Sequence, residues 1–209
     1  MATPTDAPLP PRPPDETDTE LAAPDSLRGA VLRDGTLTDA DLSGHILTEG
    51  RLSDLRLLRG SLANADLSRC EVRRAELTGT RATGSSFAEA VVADVAFVDC
   101  RLDLASFRFA TLERVAFRDC RLEEADFYGA TLSSVLFERS PLVGATLSET
   151  TLNRVELHGC DLEAVKGAER LRGARMPWAD IVASAGTFAA TLGIAVSDDP
   201  EPSGKQESG

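Results

Sequence analysis

A large apolar residue recurs at every fifth position along most of this chain. From Leu32 to Leu162 the 27 residues in this frame comprise 18 Leu, six Phe, two Val and one Ala, and the frame has no gap. Two positions earlier in each unit the side chain is small, because 25 of the 27 residues are Ala, Gly, Ser, Thr, Cys or Val. A fixed repeat of this kind constrains the architecture more strongly than any single motif.

A period of five is incompatible with both common regular structures. Five residues advance an α-helix by about 500°, so the large side chains would drift around its axis. In a simple β-strand an odd period would place successive large side chains on opposite faces. The pattern therefore predicts a chain that turns a corner every five residues, with the large and the small side chains both pointing inward.

A second period, four times as long as the first, indicates how many corners make one coil. Identical residues recur at this longer spacing, so four units should form one coil and like side chains should stack on successive coils. The two phenylalanine columns are offset by half of this period, which places them on opposite walls. The repeating positions are Val95, Val115, Val135 and Val155; Phe97, Phe117 and Phe137; and Phe87, Phe107 and Phe127.

Several units also carry a family resemblance. Ala40-Asp41-Leu42, Ala65-Asp66-Leu67 and Ala125-Asp126-Phe127 resemble the A(D/N)Lxx unit of pentapeptide-repeat proteins. The resemblance covers about 135 residues and implies an all-β fold, a right-handed quadrilateral β-helix. With four units in each coil this gives about 6.75 coils, and at a strand spacing of about 4.8 Å a rod about 32 Å long.

The sequence predicts four segments. Residues 1–28 contain seven prolines and six acids and should form a disordered tail, as should residues 197–209. The solenoid is predicted over residues 29–176. Residues 177–196 should form a C-terminal capping α-helix that begins at Pro177, followed by a short strand at Ile194–Val196. The apolar stripe of this helix consists of Trp178, Ile181, Val182, Ala185, Phe188, Ala189 and Leu192.

No catalytic, metal or cofactor site is predicted. The four cysteines lie far apart and the two histidines form no ligand set with them, so the thiols should act as small apolar filler in a reducing cytoplasm. Cys100 and Cys120 should be neighbours on adjacent coils. No apolar run approaches the roughly 20 residues of a membrane span, and a filled rod provides no pocket for a small-molecule substrate.

Two groups of outward side chains are candidates for partner binding. Arg81, Arg101 and Arg121 should stack beside a column that contains Asp103 and Glu123, either as a surface ion-pair ladder or as a basic recognition stripe. The second group is apolar, and the spacing does not establish whether any two of its members touch. It consists of Leu104, Phe109, Tyr128, Leu136 and Val143.

The resemblance leaves two functions open. Some bacterial pentapeptide-repeat proteins protect DNA gyrase from quinolones or toxins by imitating DNA, and they form twofold dimers through a terminal helix. The resemblance implies such a homodimer here, with DNA gyrase or another topoisomerase as partner. The alternative is a general protein-interaction scaffold. Of the net charge of −12, the two ends carry −4 each, so residues 30–176 carry only −4. Duplex DNA of that length carries about 19 charges. Neither direct nucleic-acid binding nor catalysis is expected.

Overall fold

The computed structural model describes residues 28–196, in which the backbone pattern repeats once per coil of four units. Every strand pairs in parallel with the equivalent strand of the next coil, so that Leu32 lies beside Leu52 and Phe97 beside Phe117. The result is a parallel β-solenoid of about six turns. Its strands are β1 (Val31–Thr38), β2 (Arg51–Leu58), β3 (Glu71–Thr78), β4 (Val91–Val98), β5 (Thr111–Arg118), β6 (Thr131–Ser133), β7 (Leu136–Glu138), β8 (Thr151–Asn153) and β9 (Glu156–His158).

The four walls of a coil are held to their neighbours in two ways. Strands β1–β5 each cover two adjacent walls, whereas the other two walls are joined by single bridges such as Ser61 with Arg81. Backbone groups pair across the coils throughout: Ser61 N–H donates to the Ala40 carbonyl at 2.8 Å, and Leu62 N–H donates to the Arg81 carbonyl at 2.7 Å. The backbone polar groups that burial would otherwise leave unsatisfied are thereby paired.

The predicted phenylalanine columns are confirmed. Phe97 and Phe117 stack with ring centroids 5.0 Å apart and planes 7° apart, and Phe107 stacks on Phe127 at 4.9 Å. The two columns meet edge to face across the interior, as Phe107 and Phe117 do at 5.8 Å. Burial of these six rings contributes on the order of 10–20 kcal/mol before chain entropy is subtracted.

The five-residue frame ends at Gly167, where a 3₁₀-helix (Ala168–Leu171) closes the last coil. Gly167 has φ of 79°, and a Cβ there would lie 2.5 Å from the backbone nitrogen of Ser148. Only glycine therefore fits this position. Leu171 is buried under the turn and takes over the role of an inward side chain.

The predicted single capping helix is corrected to two short ones, α1 (Trp178–Ala183) and α2 (Ala185–Thr191). The break falls at the buried residue Ser184. Polar anchors hold the two helices against the last coil: Gly159 N–H donates to the Asp180 carboxylate at 2.6 Å, and the Thr187 hydroxyl donates to the Leu162 carbonyl at 3.1 Å. These tertiary hydrogen bonds fix the two helices separately, which an apolar periodicity does not reveal.

The predicted strand at Ile194–Val196 is wrong, because these residues are irregular and exposed. The predicted disordered tails, residues 1–28 and 197–209, lie outside the described residues except for Arg28, which pairs with Glu49 at 2.8 Å.

The first coils contain leucine where later coils have phenylalanine, and a cavity of about 40 Å³ remains among them. Leu77 lines it and lies one rung below Phe97. Leu77→Phe should extend the ring stack into the cavity and raise the free energy of unfolding by about 1 kcal/mol, measured by urea denaturation.

Leu157→Phe is the matched control, since Leu157 lies above Phe137 in the same column but borders no such cavity. The control should give no gain. A lower free energy of unfolding for Leu77→Phe than for the unmodified chain would show that the cavity cannot accept the ring.

Candidate partner-binding surface

Side chains fill the interior of the solenoid, so binding residues must lie outside. Among residues 28–196 no cluster of His, Cys, Asp or Glu has the arrangement of a metal site. All four cysteines are unpaired and buried. Burial raises the pKa of the Cys70 and Cys160 thiols, which keeps them protonated. All four side chains fill space in the core, and the outer surface remains for recognition.

Every corner of the solenoid has the left-handed backbone conformation, a feature that the sequence analysis missed. Each fifth residue from Gly29 to Ala164 has positive φ, without exception. Corner side chains reach over the equivalent corner of the next coil, as Arg139 Cγ does at 3.6 Å from the place of a Cβ on Gly159. The signal was present in the sequence, because half of these corner positions hold Gly, Asp or Asn, which tolerate this conformation best.

Ion pairs connect corners on successive coils. Four arginines each bind, through two nitrogens, an aspartate at the equivalent corner one coil earlier, with N···O distances between 2.6 and 3.0 Å. The hydrogen bond from Arg139 lowers the pKa of Asp119. Four carboxylates are thereby neutralised, of which Asp54 and Asp94 are buried. The pairs are Asp39–Arg59, Asp54–Arg74, Asp94–Arg114 and Asp119–Arg139.

The predicted arginine column does form, since Arg81, Arg101 and Arg121 bridge in succession. Its ion pairs are confined to one end: Arg121 lies 3.5 Å from the Asp103 carboxylate and 3.2 Å from that of Glu123. Within the described part of the chain, no carboxylate forms an ion pair with Arg81 or Arg101. The structure thus brings the predicted partners together at one rung rather than along a ladder.

Three side chains form a contact that the sequence did not establish. The ring of Phe109 packs edge to face on Tyr128, with centroids 5.6 Å apart. The guanidinium carbon of Arg108 lies 4.6 Å from the Tyr128 ring centroid and 5.6 Å from that of Phe109. Asp126 holds the same guanidinium at 2.7 Å. Arg108, Phe109, Tyr128 and the nearby Leu104 are called the aromatic patch below.

Phe109 stands at a corner that is costly for a bulky residue. Its φ is 56°, and its side chain is 55% exposed. The ring lies over Gly129, where a Cβ would be 2.6 Å from two ring carbons. Because residue 129 has no side chain, the space above it is free, and the ring of Phe109 occupies that space.

Leu104 lies on the next corner of the same coil and is 57% exposed. Leu136 and Val143, which were predicted to point outward, are half-buried. Leu104 and Phe109 flank the wall centred on Phe107, so the patch occupies one wall and its two corners.

The predicted dimer-interface residues divide into two groups. Trp178, Val182 and Leu192 are 76%, 57% and 74% exposed, and Ile181, Ala185 and Ala189 are also accessible to different degrees. Phe188 instead packs against the core and covers the end of the solenoid. Beside these helices, Leu171, Met176, Ile181 and Leu192 contribute to a groove of about 410 Å³.

Comparison with known proteins identifies the family and the fold of this chain. Family models described as "Pentapeptide repeat region" and "Pentapeptide repeats (8 copies)" match residues 82–147 and 132–166. Trypsin-treated QnrB1, a plasmid-mediated fluoroquinolone resistance protein, is 21% identical, with a TM-score of 0.50 over 82% of this chain and 85% of that one. HetL, a pentapeptide repeat protein from Nostoc sp. strain PCC 7120 involved in heterocyst differentiation regulation, is 24% identical, with a TM-score of 0.48 over 73% and 85%.

At these identities the likeness concerns the fold alone. No curated protein matches the chain. Among residues 28–196, no helix has the length and apolar character needed to cross a bilayer.

Gly129→Ala should displace the ring of Phe109 from Tyr128, because the new methyl group would occupy the space that the ring now fills. The nuclear Overhauser effect between the two rings should disappear. Both Gly129→Ala and the control Gly79→Ala should lower the free energy of unfolding by about 1–2 kcal/mol, since each forces a Cβ into the left-handed conformation.

Only Gly129→Ala should abolish the ring contact, because the nearest atom to a Cβ on Gly79 is 3.7 Å away. Retention of the contact in Gly129→Ala would contradict the role given to this glycine.

Proposed function

The chain belongs to the pentapeptide-repeat family, whose models match residues 82–166, and from this we propose that it is a non-catalytic protein-binding solenoid. The observation that carries the proposal is the aromatic patch, an exposed apolar and cationic cluster already held in place by its own contacts. Aromatic and arginine side chains dominate the binding energy of protein interfaces. The four buried, unpaired thiols fit a reducing cytoplasm.

The rigidity of the patch supports a binding role. Phe109 is fixed by Gly129 and Tyr128, and Arg108 is fixed by Asp126, so little side-chain freedom remains to be lost on association. The proposal includes no catalytic role, since the core that positions these residues is filled by side chains and provides no concave polar pocket inside the solenoid.

A twofold dimer through α1 and α2 is part of the proposal. The exposure of Trp178, Val182 and Leu192 at one end of the rod supports it, because large apolar side chains gain free energy when association removes them from water. Phe188 is assigned to capping rather than to the dimer, because it packs against the core of its own chain.

Binding to DNA gyrase or another topoisomerase as a DNA mimic is the second candidate. The net charge of −12 and the stacked-coil rod favour it. The bidentate Asp39–Arg59 and Asp119–Arg139 pairs weigh against it, because they neutralise exposed carboxylates that would otherwise imitate phosphates. A general interaction scaffold is therefore the function that the geometry supports better.

A photoreactive benzoylphenylalanine in place of Phe109 should capture a partner when irradiated in cells of the organism that makes the protein. The expected result is a discrete covalent adduct with one protein, identified by mass spectrometry. The control carries the same group in place of Val31, an exposed apolar residue at the start of β1 and four coils away, and should give no such adduct.

The identity of the adduct distinguishes the two candidates. A gyrase or other topoisomerase subunit would favour the DNA mimic, and any other protein would favour the scaffold. Absence of an adduct at residue 109, or the same adducts at residues 109 and 31, would contradict partner binding at the patch.

For the dimer, light scattering should give twice the chain mass of 22.2 kDa. Val182→Asp should reduce the mass to that of one chain, because a carboxylate would be buried in the interface. Val31→Asp, at the exposed start of β1 on the opposite end of the rod, should leave the dimer intact. A single-chain mass for the unmodified protein would rule the dimer out.

A further inference from the structure

The wall between the corners at Leu104 and Phe109 has an exposed apolar side chain at each edge and mostly small outward side chains between them. Both corner side chains are more than half exposed. The outward residues between and below them are small, apart from Arg108: Ser106 lies on the same coil, and Ser86 and Ala88 lie on the preceding coil. A chain segment from another molecule can therefore approach this backbone closely while it contacts both corners.

Within residues 28–196, two carboxylates beside these corners form no ion pair. Glu89 occupies the same corner column as Phe109 one coil earlier, and Glu124 occupies that of Leu104 one coil later. Both are exposed, and in the described part of the chain neither forms an ion pair with a basic group. The one cation of the wall in these coils, Arg108, is already engaged by Asp126 and the two rings.

We propose that the wall between Leu104 and Phe109 binds a basic segment of a partner protein, in which an apolar side chain is flanked by lysine or arginine. The inference rests on the proposed protein-binding function and names the chemistry of the partner. The apolar side chain contacts the aromatic patch, and the flanking cations face Glu89 and Glu124. Complementary charges of this kind set specificity and accelerate association.

The surrounding groups disfavour a nucleic-acid ligand. Glu89 and Glu124 would repel phosphates, and the Arg108 guanidinium is already bound by Asp126 and packed on Tyr128. A peptide that provides both an apolar side chain and positive charge satisfies the two exposed features of the wall together.

A display library of random peptides provides an unbiased probe. Selection on the immobilised full-length protein should enrich peptides with Leu, Met or an aromatic residue flanked by Lys or Arg. Binding of an enriched, fluorescein-labelled peptide is then measured by fluorescence anisotropy. Phe109→Asn, which suits the left-handed corner, should weaken binding at least about tenfold.

Glu89→Gln and Glu124→Gln should each weaken binding about two- to fivefold at low salt and make it less sensitive to added salt. Asp99→Asn is the matched control: it also removes an exposed carboxylate at a left-handed corner, but on the opposite side of the coil. Its affinity should equal that of the unmodified protein. Phe109→Leu, which keeps an apolar side chain, should retain most of the binding and so excludes misfolding as the cause of the loss.

Enrichment of acidic or purely polar peptides would overturn the inference, as would unchanged affinity in Phe109→Asn. If the library yields no peptide that depends on Phe109 while the photoreactive group at that residue still captures a partner, the basic-segment inference fails and the protein-binding function stands. If neither experiment gives binding at residue 109, both fail.

Discussion

Contact between inward side chains of successive coils is the interaction on which the rest of the molecule depends. A single coil has no closed core, so it buries its apolar side chains only when the next coil covers them. Phe97, Phe117 and Phe137 meet at 5.0 Å, and the second column meets them edge to face. Because this packing occupies the interior, it leaves the outward side chains free to differ from coil to coil.

The left-handed corners determine how those outward side chains meet. A corner side chain leans over the equivalent corner of the next coil, so charges separated by one coil form ion pairs, and Phe109 rests over Gly129. Leu104 and Phe109 are the two bulky apolar residues among the corners from Gly29 to Ala164. A corner conformation of this kind costs such residues about 1 kcal/mol or more. Their presence on adjacent corners of one coil is difficult to explain by folding alone, and it supports the proposed partner binding.

The architecture could be predicted from the sequence because one frame of inward residues specifies it. The stacking of like side chains on successive coils, the buried thiols and the end of the frame near Gly167 all follow from side-chain size at fixed spacing. The contact of Phe109 with Tyr128 could not be predicted, because the two residues lie on different coils and meet only through the corner conformation. The division of the terminal helix at Ser184 could not be predicted either, because hydrogen bonds from Asp180 and Thr187 to the last coil determine it.

The cooperative unfolding of two deletion variants tests the account most directly. Deletion of residues 103–122 removes one complete coil and rejoins the walls in register, so the shortened chain should keep its β-sheet circular dichroism and unfold in one transition at a lower denaturant concentration. Deletion of residues 104–121 shifts the inward frame, turns polar side chains inward in every later coil, and should abolish cooperative unfolding. Equal behaviour of the two variants would contradict a column of coils held together by stacked inward side chains.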